Sequence, residues 1–544
     1  MRFSSFLLLA GLPTTFATFG VTEGSGYIDV DTGNKLVYRG MELLFSSQSE
    51  AEYPTVSTSS GDITSIKYNS VEYQYSKKYT QIASGLGTAT VSYKDSGSYI
   101  IITIATPTLT QYYVTVSGQD ALYIGTYITA EPEHSKVIAL IDTHTGGVAI
   151  EGSDVFNVGG QTRSKFYSSV RFIEDQVHGV TGSGVGIYMV IPGNGYETSS
   201  GGPFHRDIDN QNSPSDDGAQ EVYYYMNSNH EQTESYRTGF FGPYALVFTS
   251  GSAPSGSLDL SFFEDLGLAG YVKSSGRGTV SGTVSGVSSS FTAIVGLSNS
   301  AAQYWGTASG GSFSLSGVKP GTYTATLYKK ELEVSTGSVT VSAGKTSTLS
   351  LTSTESLPTL IWQIGVPDGT PSGFLNADKF ETMHPSDSRM NSWGPVTYTI
   401  GSSGVSSFPM AQYAPARCYY LLVLIPAIRR FIDVNNPTTI KWTATSSQIG
   451  ARILRIRTTS SYNGGRPTVQ VNSWTSSTPT APTKIDSRGV TRGTWRGLNQ
   501  LYEYSIPSGT LVAGLNTIVI TIVSGSSGDD FLSPNVVYDS VELY

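Results

Sequence analysis

Three clusters of polar and aromatic residues could carry out chemistry. The first, at 161–169, reads Gln-Thr-Arg-Ser-Lys-Phe-Tyr-Ser-Ser and contains Arg163 and Lys165. Lys165 lies between strand-like residues, so its side chain could project from a sheet face, although a solvated strand lysine explains this string better when it is taken alone. Arg163 and Arg171 flank Lys165 in sequence, and their charge could lower the pKa of the lysine.

The second cluster, at 199–207, combines a Gly-Gly-Pro turn with a His-Arg-Asp triplet that begins at His205. An Arg206–Asp207 ion pair that orders the loop and a ligand-binding loop are equally compatible with this string.

The third cluster, at 223–237, begins with three consecutive tyrosines. Strand alternation places Tyr223 and Tyr225 on one face, and His230 follows in a polar Asn-Ser-Asn turn. A row of tyrosines is also typical of the edge of a core, so this cluster leaves both interpretations open.

Together the clusters fit β-elimination of an acidic polysaccharide. A base removes the proton α to a uronate carboxyl group, and an acid protonates the leaving glycosidic oxygen. A lysine can serve as the base once its pKa falls from about 10.4 toward neutrality, and histidine titrates in the range that suits the acid. Tyrosine rings offer stacking surfaces for sugars, and an arginine facing the substrate carboxylate would stabilise the enolate-like transition state.

Strands must position these residues, because helical periodicity is almost absent. Short β-branched and aromatic runs, as at 98–105, 121–128 and 518–523, alternate with Gly, Ser, Asn and Pro clusters. With 14% charged residues, 60 Gly and 34 Tyr, the composition is that of an all-β extracellular protein. The net charge of −9 argues against a nucleic-acid partner, and the single Cys418 argues against a disulfide scaffold.

Residues 1–17 have the pattern of a secretory signal peptide. Arg2 precedes an apolar run at 6–12, and Thr15-Phe16-Ala17 forms a small-x-small cleavage site. Another apolar run, at 418–432, is too short to span a bilayer and is interrupted by Pro426. We therefore expect a secreted, extracellular protein without a membrane anchor.

Two shifts in composition, at 273–278 and 351–358, divide the mature chain. We expect domains at 18–271, 272–355 and 356–544. In the middle part, Pro320-Gly321 separates two strand-like strings, a layout similar to fibronectin-III-like modules. The first part is long enough for a two-sheet sandwich with a groove, and the last looks like a jelly-roll carbohydrate-binding module.

Longer strings connect the clusters to a known family. They include the whole of 162–169, Gly-Gly-Pro-Phe-His-Arg-Asp at 201–207 and Gln-Thr-Glu-Ser-Tyr-Arg at 232–237. Further strings lie at 20–21, 84–90, 150–156, 383–390, 464–467 and 486–493. On these strings the chain resembles the fungal rhamnogalacturonan lyases of polysaccharide lyase family four over nearly the whole mature sequence.

The resemblance implies an all-β fold with a catalytic N-terminal β-sandwich, a fibronectin-III-like middle domain and a C-terminal jelly-roll, carbohydrate-binding-like domain. It implies eliminative cleavage of the rhamnose-α-1,4-galacturonic acid bond in rhamnogalacturonan I. The catalytic lysine of the family falls on Lys165 and its catalytic histidine on His230. Its paired substrate-contacting tyrosines fall on Tyr223 and Tyr225.

Arg163 and His205 complete the expected substrate-binding set, His205 as a residue of the groove or as one that orders its loop. Elimination with a lysine base needs no metal, and Asp539 and Glu542 on the last strand are explained equally well as calcium ligands and as structural surface carboxylates. We therefore expect a monomer that acts on rhamnogalacturonan I with no cofactor and no metal.

The chain departs from the family pattern at three places. Between 132 and 152 it is shorter, and Lys136 is the cation nearest to where the family has substrate-facing arginines. Segments near 39–55 and 413–432 are insertions, and we hypothesise that both are translated intron sequence.

Two other functions stay open. A pectin-directed glycoside hydrolase would need two carboxylates facing each other across a groove at roughly 5 to 10 Å, and Asp207, Asp209 and Glu221 are candidates. An inactive carbohydrate-binding protein is the third hypothesis, favoured if the missing arginines are essential.

Overall fold

Strands dominate the structure in all three parts of the chain, as predicted. The computed structural model describes residues 18–24, 27–40, 61–75, 79–82, 89–130, 135–142, 148–151, 155–158, 161–164, 170–213, 219–227, 234–356, 358–382, 394–414, 435–482, 490, 498–524 and 535–544. The predicted signal peptide, Lys165, His230, Cys418 and the segments 41–55 and 415–432 lie outside these ranges.

The strands of the N-terminal region run from residue 20 to residue 249. Its strands are β1 (Gly20–Gly24), β2 (Tyr27–Asp31), β3 (Leu36–Gly40), β4 (Ile63–Tyr68), β5 (Val71–Glu72), β6 (Gln81–Ile82), β7 (Thr90–Asp95), β8 (Tyr99–Ala105), β9 (Leu109–Val116), β10 (Ala121–Ile128), β11 (Ser135–Asp142), β12 (Val148–Glu151), β13 (Val155–Val158), β14 (Gln161–Ser164), β15 (Val177–Gly182), β16 (Val185–Val190), β17 (Asn210–Ser213), β18 (Ala219–Asn227) and β19 (Gly239–Thr249).

A seven-stranded sheet in the order β15-β16-β19-β10-β9-β8-β7 forms the centre of this region. One of its faces shares a core with the five-stranded sheet β1-β2-β3-β4-β5 and with β18 of the four-stranded sheet β17-β18-β11-β6. Its other face packs on residues 258–271, which include helix α1 (Phe263–Leu266). Strand β8 serves both faces, because Ile100 and Ile102 enter the first core while Ile101 enters the second. Strands β12, β13 and β14 form a separate sheet.

The middle region is a small sandwich of seven strands within its described residues. They are β20 (Gly278–Ser285), β21 (Ala293–Ser298), β22 (Gln303–Ala308), β23 (Ser312–Val318), β24 (Gly321–Lys329), β25 (Leu332–Val341) and β26 (Thr346–Thr352), and a 3₁₀ helix (Ser274–Gly276) precedes them. The sheets are β23-β20-β26 and β22-β21-β24-β25, with the core between them. The predicted turn joins β23 to β24, so that interpretation of the Pro-Gly string is confirmed.

The C-terminal region is a second sandwich. Its strands are β27 (Trp362–Gly365), β28 (Val396–Thr399), β29 (Ala411–Tyr413), β30 (Thr438–Ala444), β31 (Arg452–Tyr462), β32 (Arg466–Val471), β33 (Trp474–Thr475), β34 (Gln500–Ile506), β35 (Gly514–Val523) and β36 (Asn535–Leu543). Short 3₁₀ helices lie at Ala377–Thr382 and Val405–Ser407. Strand β36 pairs with β27, β29 and β31 in one sheet, and β28-β30-β35-β32-β33 forms the other. The predicted all-β fold is therefore confirmed.

Buried ion pairs fix the N-terminal region against the middle region. Glu197 is 2% exposed and binds Arg277 at 2.7 Å, Lys319 at 2.9 Å and the Tyr304 hydroxyl at 2.8 Å. On the same interface Glu331 accepts hydrogen bonds from both Arg171 and Arg206 at 3.0 Å. Removing one partner of such a buried pair is costly, so these contacts hold the two regions in one arrangement.

Within the described ranges, no helix has the length and apolar character needed to cross a membrane. Each sheet lies inside one of the three expected domains, whose boundaries at 18–271, 272–355 and 356–544 stay a prediction.

Candidate active site

Strand β18 carries the tyrosine row and separates it onto two faces. The rings of Tyr223 and Tyr225 stack with centroids 5.5 Å apart, while Tyr224 stacks on Tyr196 and Tyr244 in the core. The predicted alternation is thus confirmed. Tyr223 is 2% and Tyr225 9% exposed, so the pair is a buried, stacked unit. Its assignment to substrate binding stays a prediction.

Two neighbouring strands define the position of this pair. Backbone pairing places Ile138 of β11 opposite Tyr223 and Lys136 opposite Tyr225. On the other side β17 begins at Asn210, which pairs with Val222. Lys136, the cation nearest in sequence to where the family has substrate-facing arginines, therefore has its backbone directly beside that of Tyr225.

A cluster of three charged side chains, Asp175, His178 and Asp209, lies against the backbone of β18. We call it the Asp–His–Asp cluster. All three residues are buried, at 1%, 8% and 3% exposure. His178 Nδ1 lies 2.8 Å from Asp175 Oδ1, and His178 Nε2 lies 2.5 Å from the carbonyl oxygen of Tyr223. The hydroxyl of Tyr196 donates to the other oxygen of Asp175.

Both ring nitrogens of His178 face oxygens that can only accept, so both carry protons and the ring is an imidazolium. Burial by itself lowers the pKa of His178, but the charge and hydrogen bond of Asp175 outweigh it and raise the pKa to about 9. Burial, followed by the nearby charge of Asp175, raises the pKa of Asp209 well above its usual range. The cluster thus holds one cation between two carboxyl groups.

These three residues also have the composition of a metal site, with candidate ligand atoms within 4.8 Å of one another. A histidine binds metal through an unprotonated ring nitrogen. Since both nitrogens of His178 donate hydrogen bonds, the cluster as arranged is an ion-pair network and does not suit a metal ion.

The Asp–His–Asp cluster ties β18 to the chain that follows Lys165. Asp209 Oδ2 accepts the backbone N–H of Val170 at 2.9 Å, and its carbonyl oxygen accepts the N–H of Tyr223 at 2.8 Å. Val170 is the fifth residue after Lys165 in sequence. One buried network therefore positions both the tyrosine pair and Val170, which we call the end of the lysine segment, 161–170.

His205 lies in the loop that the sequence interpreted as either a binding or an ordered loop. It is 1% exposed, and its Nε2 lies 3.3 Å from Asp207 Oδ2. Its ring contacts Phe172 at 4.8 Å between centroids. Gly201 has φ +116°, and a Cβ there would lie 2.3 Å from the His205 ring, so the loop requires glycine at this position.

The ion pairs of this loop differ from the expected one. Arg206 binds Glu331 of the middle region, whereas Asp207 contacts His205 and accepts the N–H of Ile208 at 2.8 Å. Within the described residues Glu331, a buried carboxylate of the middle region, takes the place of Asp207 as the ion-pair partner of Arg206. The loop is ordered, and the place of His205 in substrate binding stays a prediction.

The structure brings together only part of the predicted site. Arg163 lies in β14, with its backbone opposite Phe156 of β13, and β14 also contacts the 3₁₀ helix Ala377–Thr382 of the C-terminal region. Lys165 and His230 lie outside the described residues. Arg171, proposed to lower the pKa of Lys165, is bound by Glu174 and Glu331, so two carboxylates offset its charge.

The Asp–His–Asp cluster is what sequence reasoning missed. Asp175 and His178 are three residues apart, a spacing that was visible, but Asp209 joins them only through the fold. Asp207, Asp209 and Glu221, the three candidates for the two carboxylates of a hydrolase, are all at most 3% exposed. They do not line an open groove as a hydrolase would need.

Three family models match the chain in succession. The N-terminal domain of rhamnogalacturonan lyase B matches residues 19–138 and 134–270. Domain II of polysaccharide lyase family 4 matches 276–349, and domain III, described as resembling a carbohydrate-binding module, matches 360–543. The matches run through all three regions of the fold.

Curated relatives are similar over the same length. Rhamnogalacturonate lyase A of Aspergillus aculeatus is 49% identical, covering 97% of this chain and 96% of its own. The probable rhamnogalacturonate lyase A of Aspergillus terreus is 50% identical over 98% of this chain and 97% of its own. The enzyme of that name from Emericella nidulans is 49% identical over 97% of this chain and 96% of its own.

Proposed function

Since this chain belongs to the rhamnogalacturonan lyases of polysaccharide lyase family 4, we propose that it is secreted and cleaves the rhamnose-α-1,4-galacturonic acid bond of rhamnogalacturonan I. The observation that carries the proposal is the succession of three family matches between residue 19 and residue 543. The buried network that joins the tyrosine pair to the lysine segment supports it.

The reaction is a β-elimination. Neutral Lys165 takes the proton at C5 of the galacturonate, and that electron pair forms the C4–C5 double bond as the C4–O bond breaks. His230, protonated, gives its proton to the leaving glycosidic oxygen, so no water is consumed. The product carries an unsaturated galacturonate at its new non-reducing end. Lys165 must hold a lowered pKa to be neutral at the working pH.

Within this proposal, Tyr223 and Tyr225 position the sugars, and Arg163, His205 and Lys136 are the candidates that face the substrate. His178 is a positioning residue, because its imidazolium holds the carbonyl of Tyr223 and pairs with Asp175. Asp209 is another, through the N–H of Val170.

The deciding experiment follows the ultraviolet absorbance of the unsaturated product on rhamnogalacturonan I. We expect Lys165→Ala and His230→Ala each to lose at least ~10²-fold in kcat, as acid–base catalysis typically contributes. Lys94→Ala, on exposed strand β7, is the matched control and should keep wild-type activity. Near-full activity of Lys165→Ala would refute the assignment of the base.

The same assay separates the other two functions. New reducing ends without absorbance would mean hydrolysis, and binding with neither signal would mean a carbohydrate-binding protein. Either result in the wild-type chain would overturn the lyase proposal.

Secretion has its own test. Expressed from its full gene in a filamentous fungus, the protein should accumulate in the medium with Thr18 as its first residue. Retention in the cells with residues 1–17 attached would contradict the proposed export.

A further inference from the structure

A cavity of about 520 Å³ lies where the three regions meet, and we call it the junction cavity. It is lined by residues 201–204 of the N-terminal region, by Tyr328 and Leu332 of the middle region, and by residues 498–501 and Asp539 of the C-terminal region, among others. Its volume is in the range of ligand pockets, which often lie between domains. Of the proposed substrate-binding residues whose side chains the structure describes, Tyr223, Tyr225 and His205, none is among those that line it.

Asp539 reaches this cavity from a β-bulge. The pairing of β31 with β36 passes from Arg457 opposite Ser540 to Thr458 opposite Tyr538, so Asp539 is the extra residue. Bulges redirect side chains and are frequent next to functional sites. Asp539 Oδ1 accepts the backbone N–H groups of Asp368 at 2.9 Å and Gly369 at 3.0 Å.

The second oxygen of Asp539 has no such partner. The residue is 1% exposed, and Oδ2 is buried without a hydrogen bond to any described residue. Burial raises the pKa of Asp539 to about 8, so at neutral pH the group is mostly protonated. An unpaired buried hydroxyl of this kind is costly, and a ligand that hydrogen-bonds to it is favoured.

Arg457, on the neighbouring strand, also lines the cavity. In the part of the chain that the structure describes, its buried Nε makes no hydrogen bond, and the nearest carboxylate oxygen, Glu542 Oε2, is 3.6 Å away. Asn499 adds a buried Oδ1 without a partner, while its Nδ2 donates to Glu331 O at 2.9 Å. Three of the residues that line the cavity therefore each carry a buried polar atom without a hydrogen-bond partner among the described residues.

Part of the remaining wall is aromatic and apolar. Tyr328 and Phe204 meet edge to face with centroids 4.9 Å apart, and Leu332 and Leu501 also line the space. An aromatic ring beside convergent hydrogen-bonding groups is the chemistry that recognises a sugar, whose ring has an apolar face and polar edges.

The charges select against an acidic sugar. The exposed Glu333 lines the cavity, Asp539 is mostly neutral there, and Glu542 already offsets part of the charge of Arg457. A ligand carboxylate would therefore meet the full negative charge of Glu333 but only part of the positive charge of Arg457. We propose that the junction cavity is a second carbohydrate site that binds one neutral pyranose unit, its adjacent hydroxyls bonded to Asp539 and Arg457 and its ring against Tyr328.

The test measures binding of methyl β-D-galactopyranoside to the full-length protein by calorimetry or saturation-transfer NMR. Arg457→Ala removes the donor, and Leu501→Trp fills the cavity from a position that is 50% exposed. Each should weaken binding by at least roughly tenfold, as expected for a hydrogen bond to a charged group. Arg455→Ala on the same strand and Leu515→Trp, at a leucine 60% exposed, are matched controls and should bind like wild type.

Three results would overturn the proposal: no binding to the wild type, equal binding to Arg457→Ala and Leu501→Trp, or tighter binding of methyl α-D-galacturonate than of the neutral sugar. A monosaccharide glycoside contains no bond between two sugar units, so binding is read without cleavage. Failure here would therefore leave the lyase proposal untouched.

Discussion

The Asp–His–Asp cluster and the junction cavity use the same types of buried residue in opposite ways. In the cluster, both nitrogens of His178 and at least one oxygen of each carboxyl group are bonded to described neighbours. At the junction cavity, Asp539 keeps one bonded and one unbonded oxygen, and Arg457 has an ion partner only at 3.6 Å.

This contrast separates two uses of a buried charge. A cation whose hydrogen-bond donors are all engaged, as both nitrogens of His178 are, has no donor left for a ligand, so the cluster positions the backbone that it holds. An unsaturated set costs free energy until something binds it. Counting partners therefore assigns the cluster to positioning and the cavity to binding, although both contain a buried acid beside a cation.

The largest expected effect is on stability at the cluster. His178→Ala leaves Asp175 and Asp209 buried without their cation, and we expect the free energy of unfolding to fall by about 3–5 kcal/mol. Urea denaturation at pH 6 measures it. A loss below about 1 kcal/mol would mean that the carboxyl groups do not depend on His178, and the contrast with the cavity would fail.

The next effect is on catalysis. Asp209→Ala removes the acceptor of the Val170 N–H, which frees the end of the lysine segment. We expect kcat to fall by roughly 10- to 100-fold, because small misplacements of catalytic groups are costly, with a smaller change in KM. Asp209→Asn keeps an acceptor oxygen and should restore most of the activity.

Asp120→Ala is the control for this series, because Asp120 also accepts backbone N–H groups, those of Lys35 and Leu36, but in the β2–β3 turn. Equal losses in kcat for the variants at positions 120 and 209 would reduce Asp209 to a residue of general stability. A failure of Asp209→Asn to recover activity would do the same.

The pH dependence of stability distinguishes the two sites further. The pKa of His178 is raised from 6.5 to about 9 because Asp175 outweighs the effect of burial, so the folded protein holds a proton that the unfolded chain releases in that window. The contribution of His178 is complete below pH 6.5 and is lost as the pH rises to about 9. His178→Gln should flatten the curve there.

Asp539 affects the free energy of unfolding over a different pH range. Burial raises its pKa from 3.8 to about 8, so the folded state again holds the extra proton and stability falls as the pH rises between these values. Asp539→Asn should flatten the curve over that range and leave the decline near pH 9 intact. Urea titrations at pH 5, 7 and 9 measure both slopes, and identical curves for the two variants would contradict the separate assignments.

Much of the local structure was predictable because it follows from short-range alternation. The run 121–128 is strand β10, and the stacked face of Tyr223 and Tyr225 follows from a period of two. The turn between β23 and β24 was likewise visible in its Pro-Gly dipeptide. In each case the residues that decide the conformation are adjacent in the chain.

The two charged sites were not predictable, because their members meet only through long-range packing. Asp209 is thirty-one residues from His178, and the junction cavity joins residue 201 to residue 539. The ion pair of Arg206 is likewise formed by long-range packing. Its sequence neighbour Asp207 was the obvious partner, but Glu331, 125 residues away, binds it instead.

The smallest expected effect is the sharpest test of the contrast. Arg457 makes no hydrogen bond within the described residues, and Arg455 lies equally close to Glu542, at 3.6 Å. Arg457→Ala should therefore change the free energy of unfolding by less than about 1 kcal/mol, because Arg455 remains beside the buried Glu542. Urea denaturation of both variants measures the effect. Arg455→Ala, which loses hydrogen bonds to Glu503 and Tyr544, is the reference with which the loss in Arg457→Ala is compared. If Arg457→Ala were the more damaging of the two, its charge would be serving stability, and the junction cavity would be a second structural network.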